Sequence, residues 1–433
     1  MPIERKIVIG FLALIGTGTL FLWLFNAPFR PLRFVDALFT ATSAVCVTGL
    51  TVVDTGKALT RASQLVLLLL IQLGGLGVMT ATTTLSLLMR ERIGLRQRLF
   101  LAGGVGLETP SGVIRLLIRI LALTFAIEGV GALPLYWGFI RAGFSPSQSL
   151  SNAVFHSVSA FCNAGFSLFS ENLEGFSESI LVPGTVMVLI MLGGLGFSVL
   201  SELRENFRKP SGISVHSRLV LLTTAGLILF GTLSLALCEW NASLRGLSFG
   251  WKAWNALFAS ITPRTAGFDT IAPATFSPAG IFVLVLLMLV GASPGSTGGG
   301  LKTTTLAVLL ASSWNVIKGR PEVHLWNRRI PVRIILRAIT LIVLYLGTLG
   351  LGLMALVWLE PFPFRSLLFE AVSALGTVGL SLGITPQLSD AGKLVLVLLM
   401  FWGRVGIVTF LYSLVKREAR GKVSYPDAEI PVG

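Results

Sequence analysis

The sequence predicts an all-α polytopic membrane protein built from four similar repeats, each made of a helix, a half-helix with a loop, and a second helix. Of the 433 residues, 53% are hydrophobic and only 12% are charged, about half of the roughly 25% charged residues found in soluble domains. Eight apolar runs are long enough to span a bilayer, and four shorter, interrupted segments lie between them. An ordinary soluble globule, a disordered chain and a fibrous protein are therefore excluded.

The eight runs are apolar around most of their circumference, as expected of helices that face lipid. They lie near 7–25, 65–89, 116–140, 181–200, 219–238, 281–312, 334–358 and 394–415. We interpret the first run as a membrane helix rather than a signal peptide, because no small-residue cleavage site follows it. Four repeats result, at 1–90, 91–205, 206–320 and 321–417, followed by a tail at 418–433.

The net charge of +14 is divided unevenly between the two sides that these spans define. Twenty-two Lys and Arg residues fall at the N-terminus, in the loops after runs two, four and six, and in the tail, against nine on the other side. Because loops rich in Lys and Arg stay in the cytoplasm, both termini are predicted to be cytoplasmic. The basic excess is explained by membrane orientation, so nucleic-acid binding is not predicted.

The sequence offers little for metal, redox or covalent chemistry. Its three cysteines have no CxxC spacing, and its three histidines form no HxxxH pair. A membrane enzyme would need several ionisable groups inside the spans, which hold Glu128, Lys302, Arg404 and little else. We therefore predict no catalytic residues and no metal cofactor, and keep a membrane enzyme only as a remote alternative.

The four short segments share a set of landmarks that define the repeat. Each has a phenylalanine, a hydroxyl residue four positions later, and a glycine nine or ten positions after the phenylalanine. The phenylalanines are Phe39, Phe155, Phe258 and Phe369, the hydroxyl residues Ser43, Ser159, Thr262 and Ser373, and the glycines Gly49, Gly165, Gly267 and Gly379. Agreement at so many landmarks indicates four degenerate copies of one unit.

Two further positions recur around these segments. A polar residue three positions before each phenylalanine is predicted to cap the half-helix. These residues are Asp36, Asn152, Asn255 and Ser366. A second glycine follows in the next apolar run, where either close helix packing or a hinge explains it. These glycines are Gly74, Gly193, Gly291 and Gly403.

The pattern favours a half-helix that enters the membrane and returns as extended backbone. Non-helical backbone at membrane depth is tolerated only when it is buried or lines a water-filled cavity. Four such loops around a pseudo-fourfold central pore would direct their carbonyls at one point, and carbonyl rings can replace the hydration shell of a monovalent cation. The predicted filter carbonyls belong to Val47, Thr48, Gly49, Asn163, Ala164, Gly165, Thr265, Ala266, Gly267, Thr377, Val378 and Gly379. Arg264 is expected to brace a filter loop.

These loops resemble the four filter loops of the Trk/Ktr/HKT superfamily of potassium transporters. The segments are Thr42–Thr51, Ser159–Ser167, Thr262–Asp269 and Ser373–Ser381. The stretch from Gly291 to Lys302 resembles the intramembrane loop of the family's third repeat, and Arg404 matches the arginine that faces this loop. The likeness covers essentially the whole chain and is greatest to the KtrB branch, the membrane subunits of bacterial Ktr uptake systems. Pro294 departs from the loop pattern, which puts the mobility of this loop in question.

The resemblance implies a gate at this loop. Its residues would be Gly291, Ser293, Gly295, Ser296, Thr297, Gly298, Gly299, Gly300, Lys302 and Arg404. Arg404 could hold the loop's carbonyls or extend to the interface, and the same two explanations stand for Lys302. The run 295–303 also approaches a phosphate-binding motif, but Leu301 spoils its spacing and no soluble strand precedes it. A merely kinked helix is the remaining alternative.

The resemblance also implies a transport function, a membrane location and an assembly. It points to potassium uptake across the bacterial cytoplasmic membrane by a homodimer, on a cytosolic ring of KtrA-type subunits that bind the regulatory nucleotide. Potassium would be the substrate and the only metal, bound by filter carbonyls, and membrane lipid a further partner. Sodium dependence stays open, as does the alternative of a Trk-type or less selective sodium/potassium transporter.

Overall fold

The computed structural model describes residues 3–77, 113–206, 212–320, 322–326 and 328–414. The regular structure of these residues is almost entirely helical, which confirms the predicted helical class. The exception is a two-residue antiparallel pairing of His324–Leu325 with Arg328–Arg329. The predicted tail at 418–433 and the basic loop at 90–98 lie outside the described residues.

Each repeat begins with a long helix. The four long helices are Ile3–Asn26, Val113–Arg141, Val215–Glu239 and Val332–Leu359. A helix of 24 residues is about 36 Å long and crosses the hydrocarbon core. In the apolar stretches of the four, only 22–33% of the residues are buried inside the protein. Side chains such as Leu237 and Phe125 point outward, so the apolar surface of these helices is suited to lipid.

A short helix follows each long one. The short helices are Phe34–Val45, Pro146–Phe161, Phe249–Ile261 and Phe364–Gly376. The predicted caps Asp36, Asn152, Asn255 and Ser366 are wrong, because each lies inside its helix. In the second repeat the helix starts earlier because Ser145 forms a capping box with Gln148 and Pro146 occupies the first turn. The landmark phenylalanines of all four short helices are at most 3% exposed.

A return helix closes each repeat. The return helices are Arg61–Leu76; Leu181–Leu195 with Phe197–Glu205; Pro278–Met288 with Thr303–Ile317; and Asp390–Val405 with Ile407–Leu414. The sequence indicated an interruption in the third repeat, and the structure shows interruptions in the second and fourth return helices as well. The second return helix bends by 97°. The bend lies at Gly196. The equivalent residues of the first and fourth repeats are Gly77 and Gly406. All three glycines have a positive φ, between +81° and +95°.

Four described helices are long and apolar enough to cross a membrane by themselves, and the bent pair of the second repeat makes a fifth. The predicted runs 281–312 and 394–415 are interrupted, because the chain leaves the helix after Met288 and at Gly406. The count of eight spans therefore stays a prediction.

Polar contacts fasten the start of a return helix to its own long helix in three repeats. Glu239 Oε1 accepts a hydrogen bond of 3.0 Å from the backbone of Ser277, and Glu360 Oε1 one of 2.9 Å from Ser389. In the first repeat Asn26 Oδ1 accepts one of 2.8 Å from the backbone of Thr60. These contacts join the two helices that flank the short helix in each of these repeats.

The fourth repeat packs back against the first. Lys393 of the fourth return helix forms an ion pair of 2.8 Å with Asp36 of the first short helix, and both side chains are buried. Breaking one partner of a buried pair leaves an uncompensated charge, which costs about 3–5 kcal/mol. This pair therefore holds the contact at which the circle of repeats closes.

Candidate ion-conduction site

The four landmark glycines meet in one ring. A Cβ atom built on Gly49 would lie 3.0 Å from the Cα of Gly165. The same distance of 3.0 Å separates a Cβ on Gly165 from Gly267, one on Gly267 from Gly379, and one on Gly379 from Gly49. The repeats therefore follow one another around a common axis in chain order, and the ring is closed.

The ring leaves no room for a side chain on any of these glycines. A Cβ on Gly49 would stand 2.6 Å from the carbonyl oxygen of Ala164, and one on Gly165 the same distance of 2.6 Å from that of Ala266. Each glycine also has a positive φ, from +69° to +96°. Both the close approach and the backbone conformation require glycine here.

The residue two positions before each glycine is strained. These residues are Val47, Asn163, Thr265 and Thr377, with φ between +51° and +64°. For a β-branched residue this region costs on the order of 1–3 kcal/mol, and such strain persists only where the surroundings impose it. All four loops thus adopt the same uncommon backbone.

The landmark hydroxyl residues brace the loops. The backbone carbonyls of Ser43, Ser159 and Ser373 each accept a hydrogen bond of 2.8 Å from the middle residue of their loop, and that of Thr262 one of 3.0 Å. The side chains act in two ways. Ser43 and Ser373 accept from the N–H of the ring glycine, at 3.1 and 3.0 Å. Ser159 instead donates to the carbonyl after the glycine, at 2.8 Å, and Thr262 does the same.

The short helices also shape the field at the ring. Each helix ends one to four residues before the strained residue of its loop. The last helical residues are Val45, Phe161, Ile261 and Gly376. A helix C-terminus carries the negative end of the helix dipole, equivalent to roughly half an elementary charge. Four such ends at one axis favour a cation there and disfavour an anion.

The second set of glycines lets the return helices approach these same helix ends. A Cβ on Gly74, Gly193 or Gly403 would collide with a carbonyl in the last turn of its short helix, on Val45, Phe161 or Leu375. Close packing therefore explains these three positions, and in the second repeat the bend at Gly196 occurs three residues later. Gly291 differs, because its neighbour is Gly299 of the same chain segment.

The intramembrane loop occupies residues 289–302, between the two halves of the third return helix. The N–H groups of Ser293 and Thr297 donate to carbonyls of Gly194 and Gly193, at 3.0 and 3.2 Å. Gly298 and Gly299 lie so close to the hydroxyls of Thr265 and Thr377 that a Cβ on either would collide. The loop therefore lies directly against the strained residues on one side of the glycine ring.

Two positively charged side chains hold the intramembrane loop. Arg404 donates to the carbonyls of Thr297 and Gly74, and at 3.2 Å to that of Gly75. Lys302 Nζ donates to Gly298 at 2.9 Å and to Gly299 at 3.4 Å. Of the two explanations left open for each residue, the structure shows contact with the loop.

Two further ionisable residues and two cysteines near the loops are buried in the packed protein. Glu128 is buried and accepts a hydrogen bond of 3.4 Å from Gln72. Cys46 and Cys162 are fully buried beside the loops, where they fill space. The backbone carbonyl of Arg264 accepts from Asn163 at 3.2 Å, whereas its own Nη1 has no partner among the described residues. The expected bracing by the Arg264 side chain therefore stays a prediction.

On the other side of the ring, a mouth of about 280 Å³ opens, lined by all four ring glycines. Sequence reasoning missed its polar framework. Glu370 Oε2 accepts from Thr385 at 2.8 Å, and His156 Nε2 lies 3.0 Å from the hydroxyl of Ser167. Both residues lie three positions before a landmark hydroxyl, and this repeated spacing is the signal that would have found them.

The comparisons with known proteins decide the family. The family model TrkH, described as a cation transport protein, matches residues 5–423. The chain belongs to this family. The membrane-enzyme alternative is thereby excluded, and the resemblance to the Trk/Ktr superfamily is confirmed.

Curated relatives of the TrkH family match this chain over nearly its full length. The Ktr system potassium uptake protein B of Bacillus subtilis is 37% identical over 99% of this chain and 96% of its own. The potassium/sodium uptake protein NtpJ of Enterococcus hirae is 38% identical over 99% of this chain and 97% of its own. The crystal structure of the potassium transporter TrkH from Vibrio parahaemolyticus superposes with a TM-score of 0.74, at 21% identity, over 94% of this chain and 83% of that one. At that identity the likeness shows a common fold.

Proposed function

We propose that this chain carries potassium ions into the cell through the glycine ring. The observation that supports the proposal is the closed ring of four strained loops at the ends of four half-helices, with each pair of neighbouring glycines at the same separation. The ions would bind to the carbonyls of the three-residue segments that end at Gly49, Gly165, Gly267 and Gly379. Movement would be driven by the membrane potential, which contributes about 2.3 kcal/mol per charge per 100 mV.

The intramembrane loop is the proposed barrier. It lies against Thr265 and Thr377 just beyond the ring, where a single ion would have to pass after leaving the filter. Its small residues permit the close fit, and Arg404 and Lys302 fasten it. Opening would require these hydrogen bonds to be released together.

The assembly and location are further parts of the proposal. The chain would span the bacterial cytoplasmic membrane eight times, as four long helices and four return helices, with both termini in the cytoplasm. It would form a homodimer on a cytosolic ring of nucleotide-binding subunits, in keeping with the name of the Bacillus relative, which is one component of a Ktr system.

A less selective sodium/potassium transporter is the second candidate. The observation in its favour is the name of the Enterococcus relative, a potassium/sodium uptake protein, which is as similar to this chain as the Ktr protein is. Competition by sodium during potassium uptake distinguishes the two.

The decisive experiment is growth rescue in bacteria that lack potassium uptake, with rubidium-86 influx measured alongside. We expect rescue at low external potassium, greater with a KtrA-type partner than without it. A variant with both Gly267 and Gly379 changed to aspartate provides the inactive control. Absence of rescue by a protein that reaches the membrane would refute the proposal.

The topology can be tested by cysteine labelling of intact cells. Glu171 and Asp390 should be reachable from outside, and His324 only after the cells are opened. Residues near Leu173 are expected to face the outside. Leu173 itself is fully buried, so the exposed Glu171 carries the label. Gln97 is also expected to be reachable only from the cytoplasm, and it lies outside the described residues. External labelling of His324 would overturn the orientation.

A further inference from the structure

We propose that the mouth beyond the glycine ring holds an additional cation site, formed by Asp269 with the side-chain oxygens of Asn172 and Glu174. It would bind a monovalent cation in transit, before the ion reaches the ring. The inference rests on the proposed function, since it assigns the first stop on the same path.

The four repeats differ at the position two residues after the ring glycine. Three of them have a hydroxyl there, at Thr51, Ser167 and Ser381, whereas the third repeat has Asp269. Ser381 donates to Glu370, and Ser167 contacts His156. The carboxylate of Asp269 is therefore the one charge that the four equivalent positions bring to the rim of the ring.

A segment of the second repeat docks on this rim and positions a second oxygen. The Asn172 side-chain amide donates to the carbonyl of Gly267 at 3.3 Å, and the N–H of Leu173 donates to the carbonyl of Asp269 at 3.0 Å. Because its nitrogen is engaged by the ring carbonyl, the amide of Asn172 has a fixed orientation, with Oδ1 on the opposite side.

Two oxygens at this rim are buried and have no donor. Asp269 Oδ1 and Asn172 Oδ1 each lack a hydrogen-bond partner among the described residues, although the Asp269 side chain as a whole is partly open to the mouth. Burying such oxygens unpaired is unfavourable, and a cation between them would offset that cost.

The composition of the site favours a monovalent ion. Within the part of the chain that the structure describes, no three His, Cys, Asp or Glu side chains are close enough to hold a metal ion. Calcium and magnesium need about six or more well-placed oxygen ligands. The mouth, at about 280 Å³, has room for an ion that keeps part of its water shell.

Asp54 provides a matched control in the same mouth. It has the same charge as Asp269, but its Oδ1 accepts hydrogen bonds of 2.9 Å from the N–H groups of Gly56 and Lys57, where it caps a helical turn. A general effect of negative charge in the mouth would make the two aspartates equivalent. A site at Asp269 would not.

The test measures rubidium-86 influx against external potassium in the full protein with its partner. Asp269→Asn should raise the half-saturating concentration roughly five- to tenfold, as expected for losing one unit charge about 4 Å from an ion in watery surroundings. The maximal rate should stay within about twofold of the parent, since the ring is unchanged. Asp54→Asn should leave the half-saturating concentration unchanged, and Asp269→Glu should restore most of the affinity.

The same assay provides the outcomes that overturn the inference. An equal shift for Asp54→Asn would attribute the effect to diffuse charge, and a fall in maximal rate alone would attribute it to a distorted ring. If Asp269→Asn does not reach the membrane, Glu174→Gln provides the test. It should raise the half-saturating concentration by a smaller factor, and no change would overturn the site. Failure of the parent protein to transport would instead refute the proposed function.

Discussion

Replacing Gly267 with serine should remove most potassium uptake and weaken discrimination against sodium. A Cβ at this position would stand 2.5 Å from the carbonyl oxygen of Val378 and 3.0 Å from the Cα of Gly379. The φ of +73° adds backbone strain, of about 1–3 kcal/mol. Relief requires the neighbouring loops to move apart, so the carbonyls would no longer match one ion. Rubidium-86 influx with competing sodium measures both effects, and we expect a loss of roughly ten- to hundredfold at 1.4 kcal/mol per decade.

Gly143→Ser is the matched control for this substitution. Gly143 has a φ of +92°, but nothing lies within 4 Å of a Cβ built there. It therefore tests the backbone strain of the substitution without the collision in the ring, and uptake should be close to that of the parent. Serine variants of Gly49, Gly165 and Gly379 should resemble Gly267→Ser. Unchanged ion competition in all four would remove the filter assignment.

Changing Arg404 to alanine, or deleting Ser293–Gly298, should raise potassium influx in the absence of any partner. Arg404 joins the loop at Thr297 to the end of the first return helix at Gly74. Hydrogen bonds from a charged donor contribute about 1.5–3 kcal/mol each, so their loss is sufficient to favour an open loop roughly tenfold or more. Ion preference should match the parent, because the ring glycines are untouched.

Two single substitutions in the loop distinguish the effect on influx of losing an anchoring hydrogen bond from the effect of changing the loop's composition. Thr297→Val removes a hydrogen bond of 3.0 Å to the carbonyl of Phe161 in the second short helix, and should raise influx modestly. Ser296→Ala removes only a contact to Ser293 within the loop, and should leave influx unchanged. If Arg404→Ala and the deletion variant reach the membrane and conduct no faster than the parent, the loop is not the barrier.

The sequence predicted the ring but not how it is supported. Gly49 and its three counterparts could be aligned because glycine is the only residue that satisfies both the backbone angle and the close approach. The landmark hydroxyls followed from the same spacing, although their two modes of bracing did not. Which group donates depends on small rotations of Ser43 or Ser159 in the packed protein, and no pattern in the chain encodes these.

Long-range polar contacts could not be predicted for a similar reason. Glu239 and Ser277 are 38 residues apart in the chain, and nothing in the sequence around either residue identifies the other.

The helix caps were mispredicted because a polar residue near an apolar run looks like a cap, whereas Asp36 is used for the ion pair with Lys393. The bend at Gly196 and the interruption at Gly406 were missed because glycine clusters indicate packing and hinges equally well.

The two modes of bracing make the ring chemically uneven. The N–H groups of Gly49 and Gly379 are engaged by serine hydroxyls, while in the other two repeats the hydroxyls polarise the carbonyls of Phe166 and Phe268. In a channel of four identical subunits any substitution is copied into every quadrant of the filter. Here the four loops belong to one chain, so a single substitution alters only one of them. Natural variation can therefore change the ligands on one side of the ion and leave the other three loops as they are.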